Sequence, residues 1–266
     1  MIERVLPALL RLRAGVTGIV TGAATTEHGD ADIVFVMPVF RDAPVADASL
    51  RRLRRHYPGA RVVLISDGDP GFPGDAMVRR HRVEYALGEN LYGMTHGGAL
   101  IHRFLSHYME RPARWLVRMD TDARIDRRFA HLPGRMGVHG AVNARGNIQG
   151  GCIVLTHDAA ARLHGSSVFL DPRLTDPGGS WARFMRPDLL ERKMRLGTVS
   201  YEKVLRWGCE AEGIPLLQFP EIWSTWKAKP ENAKQRANAF LRRAIVHPDR
   251  MEGEHAAPGA AATAAP

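Results

Sequence analysis

The sequence predicts an α/β domain built on a mostly parallel sheet. Three observations carry this reading. Ile33-Val34-Phe35-Val36-Met37 and Val62-Val63-Leu64-Ile65 are continuous apolar runs of strand length, the pattern of strands covered on both faces. A helical pattern from Pro44 to Tyr57 lies between them, giving a βαβ unit and hence a parallel pairing. A third run, Trp115-Leu116-Val117-Arg118-Met119, follows another helical stretch and ends in Asp120-Thr121-Asp122.

The totals agree with one large domain. The chain has 266 residues, 45% of them hydrophobic, enough to bury a real core. A formal charge of +9 and a pI of about 10.1 favour anionic partners: sugar nucleotides, nucleic acid or an anionic membrane surface. The only two cysteines, Cys152 and Cys209, lack metal-type spacing, so neither a disulfide framework nor a zinc site is implied. No apolar run approaches the roughly 18–20 residues of a membrane span. Glu3, Arg4, Arg11 and Arg13 interrupt the first apolar stretch too often for a signal peptide. The expectation is a cytoplasmic protein.

Taken in order, residues 2–13 place Ile2, Val5, Leu6, Leu9 and Leu10 at helical spacing among arginines. Such a basic amphipathic helix packs on the domain or lies on the inner face of a membrane as a peripheral contact. Gly, Ala and Thr in 14–31 read as a flexible lead-in. The first strand, 33–37, runs into Pro38. In the helix that follows, Val45, Leu50, Leu53 and Tyr57 face inward, while Arg51, Arg52, Arg54 and Arg55 read as a solvated face. Pro58-Gly59 ends that helix. The second strand is followed by Asp67-Gly68-Asp69-Pro70, and residues 82–88 can add a short strand. Gly97 to Glu110 reads as a helix burying Leu100, Ile101, Phe104, Leu105 and Tyr108.

The second half is less regular. Val138–Val142 and Cys152–Leu155 read as short strands flanking a loop of small and polar residues, 143–151. A helix over 157–163, a long loop over 165–187, a helix from Ser200 to about Glu212 and a strand over 214–219 follow. Pro230 suits the first position of a helix to Arg243. Four regions result: 1–31, helix and lead-in; 32–135, the first half of the domain; 136–250, its second half; 251–266, a disordered tail.

Asp120 and Asp122 stand at the end of a strand, where open α/β sheets bind ligands. Two hard oxygen donors there suit Mg²⁺ or Mn²⁺ with places left for substrate phosphates. Taken alone, the motif is more simply a strand-end Asx turn. A second strand ending in Asp67 at the same edge favours a site.

Together, Pro38-Val39-Phe40-Arg41-Asp42, Ser66-Asp67-Gly68-Asp69 and Asp120-Thr121-Asp122 resemble a divergent, family 2-like glycosyltransferase of the GT-A fold, over about residues 32–222. Phe40 and Asp42 replace the usual Tyr and Asn of the first motif, and Ser66 replaces the first Asp of the second. The resemblance implies a Rossmann-like, mostly parallel sheet flanked by helices, with an irregular, acceptor-side second half. It implies a nucleotide-sugar donor and a glycan, lipid-linked or small-molecule acceptor, with no nucleic-acid partner. It assigns Pro38, Phe40 and Asp42 to the nucleotide's surroundings, although core packing accounts for Phe40 equally well, and makes Asp67 a hydrogen-bond acceptor for base or ribose. Asp120 and Asp122 would hold the nucleotide and a divalent metal, Mn²⁺ or Mg²⁺.

Thr95, in Gly93-Met94-Thr95-His96-Gly97-Gly98, falls where the family approaches the donor with a helix start, a position a helix cap also explains. Gln149-Gly150-Gly151 resembles the family's strand below the acceptor sugar; a β-bulge is the plainer reading. Glu202 falls where inverting members carry the catalytic base, although an acid in a first helical turn also answers the helix dipole. Trp223 and Trp226 are acceptor-stacking candidates or core anchors. His247, in Val246-His247-Pro248, would be a third metal ligand, although a lone histidine is more often structural or solvated. Removal of Asp120 is then expected to abolish turnover and leave the fold intact.

Two other readings compete. A haloacid-dehalogenase-type phosphohydrolase also carries Asp-x-Asp at a strand end, but here the fifth position is Arg124 and the motif follows two βα units. A non-catalytic basic binding protein accounts for the charge without any recognised motif.

Overall fold

The computed structural model describes residues 25–39, 43–68, 72–88, 96–142, 146–171, 201–224 and 244–247. The helix read over 2–13, most of the loop to 187, the helix after Pro230 and the tail lie outside these residues.

The chain runs β1 (Thr25–Thr26), β2 (Ile33–Val39), α1 (Ala43–His56), β3 (Arg61–Asp67), α2 (Asp75–His81), β4 (Glu84–Gly88), α3 (Gly97–Glu110) and β5 (Trp115–Met119). It continues through β6 (Arg124–Ile125), β7 (Leu132–Pro133), β8 (Val138–Val142), β9 (Ile148–Thr156) and α4 (His157–His164). The last described elements are α5 (Tyr201–Ala211), β10 (Leu216–Gln218), β11 (Ile222–Ser224) and β12 (Ile245–His247). Among the described residues no helix is long and apolar enough to cross a membrane.

A seven-stranded sheet in the order β10-β8-β9-β5-β2-β3-β4 organises the molecule. β5, β2, β3 and β4 are mutually parallel, β9 is antiparallel to both neighbours, and β10 is parallel to β8. This is the Rossmann-like, mostly parallel α/β sheet that the sequence predicts.

Two cores cover its faces, because successive residues of a strand point to opposite sides. Ile33, Phe35, Met37, Trp115, Val117 and Met119 pack with Ala46, Leu50 and Leu53 of α1. Val34, Val36 and Leu116 pack with Leu100, Ile101, Phe104 and Leu105 of α3, and with α4 and α5. Leu50, Leu53, Ile101 and Phe104 are each at most 1% exposed. Burial of such a side chain contributes about 1.5–3 kcal/mol before the entropy of ordering it is subtracted.

The structure departs from the sequence reading at several points: Arg54, read with the solvated arginines, is partly buried and donates to the His81 and Ala60 carbonyls, and Ser167–Leu170, read as loop, form a short helical turn. α2 is a helix the sequence did not announce: it has seven residues, and its apolar Met77 and Val78 are only partly buried. Ile148 to Gly151 begin β9 and are not loop. The described part of the lead-in is anchored: Thr25 and Thr26 pair with Pro133 and Leu132. The Asp30 carboxylate there accepts from Gly59 N–H at 2.6 Å and faces Arg128 at 2.6 Å.

Candidate active site at the switch point of the sheet

The strand order reverses at β2. The chain builds β3 and then β4 to one side of it and returns to place β5 on the other. Ligands of open α/β sheets bind at the carboxyl ends of strands at such a switch point. Pro38 lies near the end of β2 and Asp120 directly follows β5, so both stand at this crevice.

A turn carries the acids outward. Ala123 N–H donates to the Asp120 carbonyl at 3.1 Å. The buried Ala123 carbonyl accepts from Ser49 Oγ of α1 at 3.1 Å, which pins the turn from behind. Asp120 and Asp122 are both partly exposed. Asp120 N–H donates to the Gly151 carbonyl at 2.8 Å. That bond continues the β5–β9 pairing, whose last register pair is Met119 with Cys152. Gly150 and Gly151 therefore lie alongside the first acid.

Arg118 is the residue that the sequence reading missed. It shares a strand face with Leu116 and Asp120, on the side covered by α5. It is 3% exposed. Its Nη2 lies 2.6 Å from Asp120 Oδ1, and its Nη1 donates to the Gly150 carbonyl. The guanidinium also sits 4.8 Å from the centre of the Tyr201 ring, close enough for a cation–π contact. Burial alone would lower its pKa, but Asp120, Tyr201 and Glu202 reverse this and hold Arg118 more firmly protonated than a free arginine.

Tyr201, the first residue of α5, also donates its hydroxyl to the Gly150 carbonyl. Burial raises the phenol pKa well above its ordinary value, so it remains a neutral donor. A β-carbon on Gly150 would fall on the Tyr201 ring, which is why glycine stands there. At Gly97, the start of α3, a β-carbon would meet the Tyr201 backbone at 3.0 Å. The first turns of α3 and α5 are thus packed together beside the crevice. Helix N-termini carry partial positive charge and favour anions.

The predicted residues divide by position. Asp120, Asp122, Gly150, Gly151 and the partly buried Gln149 gather along the β5 and β9 ends. Glu202 is in the first turn of α5, next to Tyr201 and within the field felt by Arg118. The backbone of Asp67 ends β3, next but one to β5 in the sheet. Trp223 lies in β11, in the small sheet β11-β12-β6. His247 ends β12, whose Val246 pairs with Arg124; one step further along each strand stand His247 and Ala123. Its backbone is thus brought to the turn carrying Asp122. Phe40, Asp42, Thr95 and Trp226 lie outside the described residues. Glu221, just before β11, is buried and structural: it accepts from Ala130 N–H at 2.8 Å and His131 N–H at 3.0 Å and pairs with Arg127 at 3.0 Å.

Among the described residues no three His, Cys, Asp or Glu side chains gather into a metal cage. The carboxylates of Asp120 and Asp122 are nevertheless hard oxygen donors at an accessible edge. That donor chemistry fits Mg²⁺ or Mn²⁺ in a site completed by a phosphate ligand.

No protein-family model and no curated protein sequence matches the chain. Among solved structures it is similar to a mannosyltransferase from Pyrobaculum calidifontis, in complex with GDP-Man and Mn²⁺. The TM-score is 0.39 and the sequence identity 16%, over 62% of this chain and 59% of that one. The chain thus spans less than two thirds of that protein's length.

Proposed function

We propose that this protein is a glycosyltransferase of the GT-A type, moving a sugar from a nucleoside-diphosphate donor to a hydroxyl acceptor with inversion at the anomeric carbon. The observation that carries this reading is the convergence at one switch point. Asp120-Thr121-Asp122 after β5, Gly150-Gly151 of β9 and the first turns of α3 and α5 all meet there. Two carboxylates beside helix N-termini suit a ligand that is anionic but approaches with a cation.

In this proposal Asp67 and Pro38 border the nucleotide, and the diphosphate lies toward the α3 N-terminus. Asp120 and Asp122 would hold a divalent ion, which supplies neutralisation of the charge that develops on the leaving diphosphate. Glu202 takes the proton of the acceptor hydroxyl. The acceptor oxygen bonds to the anomeric carbon as the carbon–phosphate oxygen bond breaks, its electron pair leaving on the nucleoside diphosphate. Gln149 and the β9 backbone would border the acceptor. A cytoplasmic location, with residues 2–13 touching an anionic membrane surface, belongs to the same proposal; unchanged partitioning onto anionic vesicles after deleting them would remove that contact.

Thermal melting with UDP, GDP, TDP and CDP, each with and without Mn²⁺, tests the reading. At a hundredfold excess over Kd, a ligand that binds only the folded chain raises Tm by about 5–10 °C. The expected result is such a shift for one nucleotide, requiring Mn²⁺ and lost in Asp122→Ala. No shift with any nucleotide, with or without metal, overturns it.

A further inference from the structure

Arg118 is expensive to bury. It occupies a position on an interior strand where its neighbours on the same face, Leu116 and Val36, are apolar. Apolar residues in place of both Arg118 and Asp120 would fill the space without desolvating a charge, and such replacements of a buried ion pair are often neutral or stabilising. The arginine is instead held from three sides. Asp120 pairs with it at 2.6 Å, the Gly150 carbonyl accepts from it, and the Tyr201 ring lies 4.8 Å away. Its Nε is buried and meets no acceptor among the described residues. Every one of these contacts belongs to the rim of the switch-point crevice.

We infer that Arg118 is a positioning residue that makes the site take its divalent cation together with a diphosphate and not alone. The inference rests on the donor-site reading above. A fixed guanidinium at 2.6 Å offsets much of the negative charge of the Asp120 carboxylate, one of the two acids. It is also buried, so it is weakly screened by salt. A bare dication therefore meets two acids of which one is already paired with a cation. A diphosphate brings the missing negative charge and further oxygen ligands, and the cation then binds. The grip of Gly150 and Tyr201 on Arg118 stops the guanidinium from swinging aside when the cation arrives, so the Asp120 carboxylate keeps its orientation.

Equilibrium dialysis of the full chain against Mn²⁺, with and without inorganic pyrophosphate, tests this without any substrate. Arg118→Met removes the charge and Arg118→Lys retains it. Where the methionine variant does not fold, Arg118→Gln, which keeps a donor for the Gly150 carbonyl, takes its place. The neutral variant is expected to bind Mn²⁺ alone about tenfold or more tightly than the parent, and the gain from pyrophosphate to shrink by a similar factor. Arg118→Lys is expected to stay within about threefold of the parent for Mn²⁺ alone. A purely structural arginine would give no tighter binding of Mn²⁺ alone on its loss. If the parent takes up Mn²⁺ with pyrophosphate through Asp122 while the neutral variants bind Mn²⁺ alone no more tightly, the inference falls and the donor-site reading stands. If no form takes up Mn²⁺ under either condition, both fall.

Discussion

Arg118 Nη2 and Asp120 Oδ1 are 2.6 Å apart, and the two residues stand on the same face of one chain segment, the arginine buried and the acid partly exposed. The asymmetry decides which partner can be removed safely. Asp120→Ala leaves a cation inside the protein with its counter-charge gone, a loss that the partial exposure of the acid reduces from the roughly 3–5 kcal/mol of a fully buried pair to about 1–3 kcal/mol. The sequence reading expects that substitution to spare the fold; the ion pair argues otherwise. Urea unfolding of Asp120→Ala is expected to show this loss, and Asp120→Asn, which keeps an acceptor for the guanidinium, a smaller one. Equal stability of the parent and Asp120→Ala would dismiss the pairing as an energetic partner.

Gly150 and Tyr201 touch too closely for any side chain at 150. Gly150→Ala places a methyl group on the phenol ring, and α5 must shift outward. Overpacking of this kind costs about 1–3 kcal/mol, read as a fall in Tm of roughly 2–4 °C per kcal/mol. Tyr201→Phe removes only a hydroxyl donor to a carbonyl that Arg118 also serves, and is expected to cost about 1 kcal/mol. A neutral Gly150→Ala would mean that α5 is not seated on β9.

His139 gives the fold a pH dependence. Burial lowers its pKa from 6.5 to about 4, against the bond its ring makes to the Arg135 carbonyl. In the unfolded chain it binds a proton near its ordinary pKa, so between about pH 6.5 and pH 4 the unfolded state holds more protons. Stability is then full above pH 6.5 and is lost progressively on acidification, by up to about 3 kcal/mol from this group. Urea unfolding of His139→Gln at pH 7.5 and pH 4.5 is expected to show a smaller difference than the parent by about 2–3 kcal/mol. An identical difference would exclude His139 as its source.

Glu221, just before β11, holds the 127–131 segment. Its carboxylate serves two backbone N–H groups and Arg127, while its carbonyl accepts from Ala244 and Ile245. Glu221→Ala strips acceptors from several groups at once and is expected to cost about 2–4 kcal/mol. Hydrogen exchange at Ala130 and His131 should quicken in step. Exchange unchanged at both amides would show that the segment is held by other contacts.

Much of this architecture was legible in the sequence because it rests on local pattern. Continuous apolar runs placed β2, β3 and β5, and helical spacing placed α1 and α3. The strand-end acids followed from those placements. What was not legible depends on contacts distant in sequence. The glycines at the start of β9 read as loop, since glycine weakens a strand; the arrival of Tyr201 explains Gly150. Arg118 was visible as a charge inside an apolar run, a signal that could have been followed. Its partners on β9 and α5 become neighbours only when the sheet forms. α2 escaped notice because seven residues give too little periodicity to distinguish a helix from a turn.

The lone antiparallel strand has a consequence for taking the protein apart. β5 carries the acids and belongs to the first half of the chain, yet its whole length from Trp115 to Met119 is zipped to β9 from the second half. A fragment of residues 32–135 would therefore present a naked apolar β-edge beside the switch-point crevice, the kind of surface that recruits other chains. The two halves of the chain cannot be handled as separable modules. Such a fragment is expected to aggregate on expression and to recover solubility when the remainder is supplied in trans.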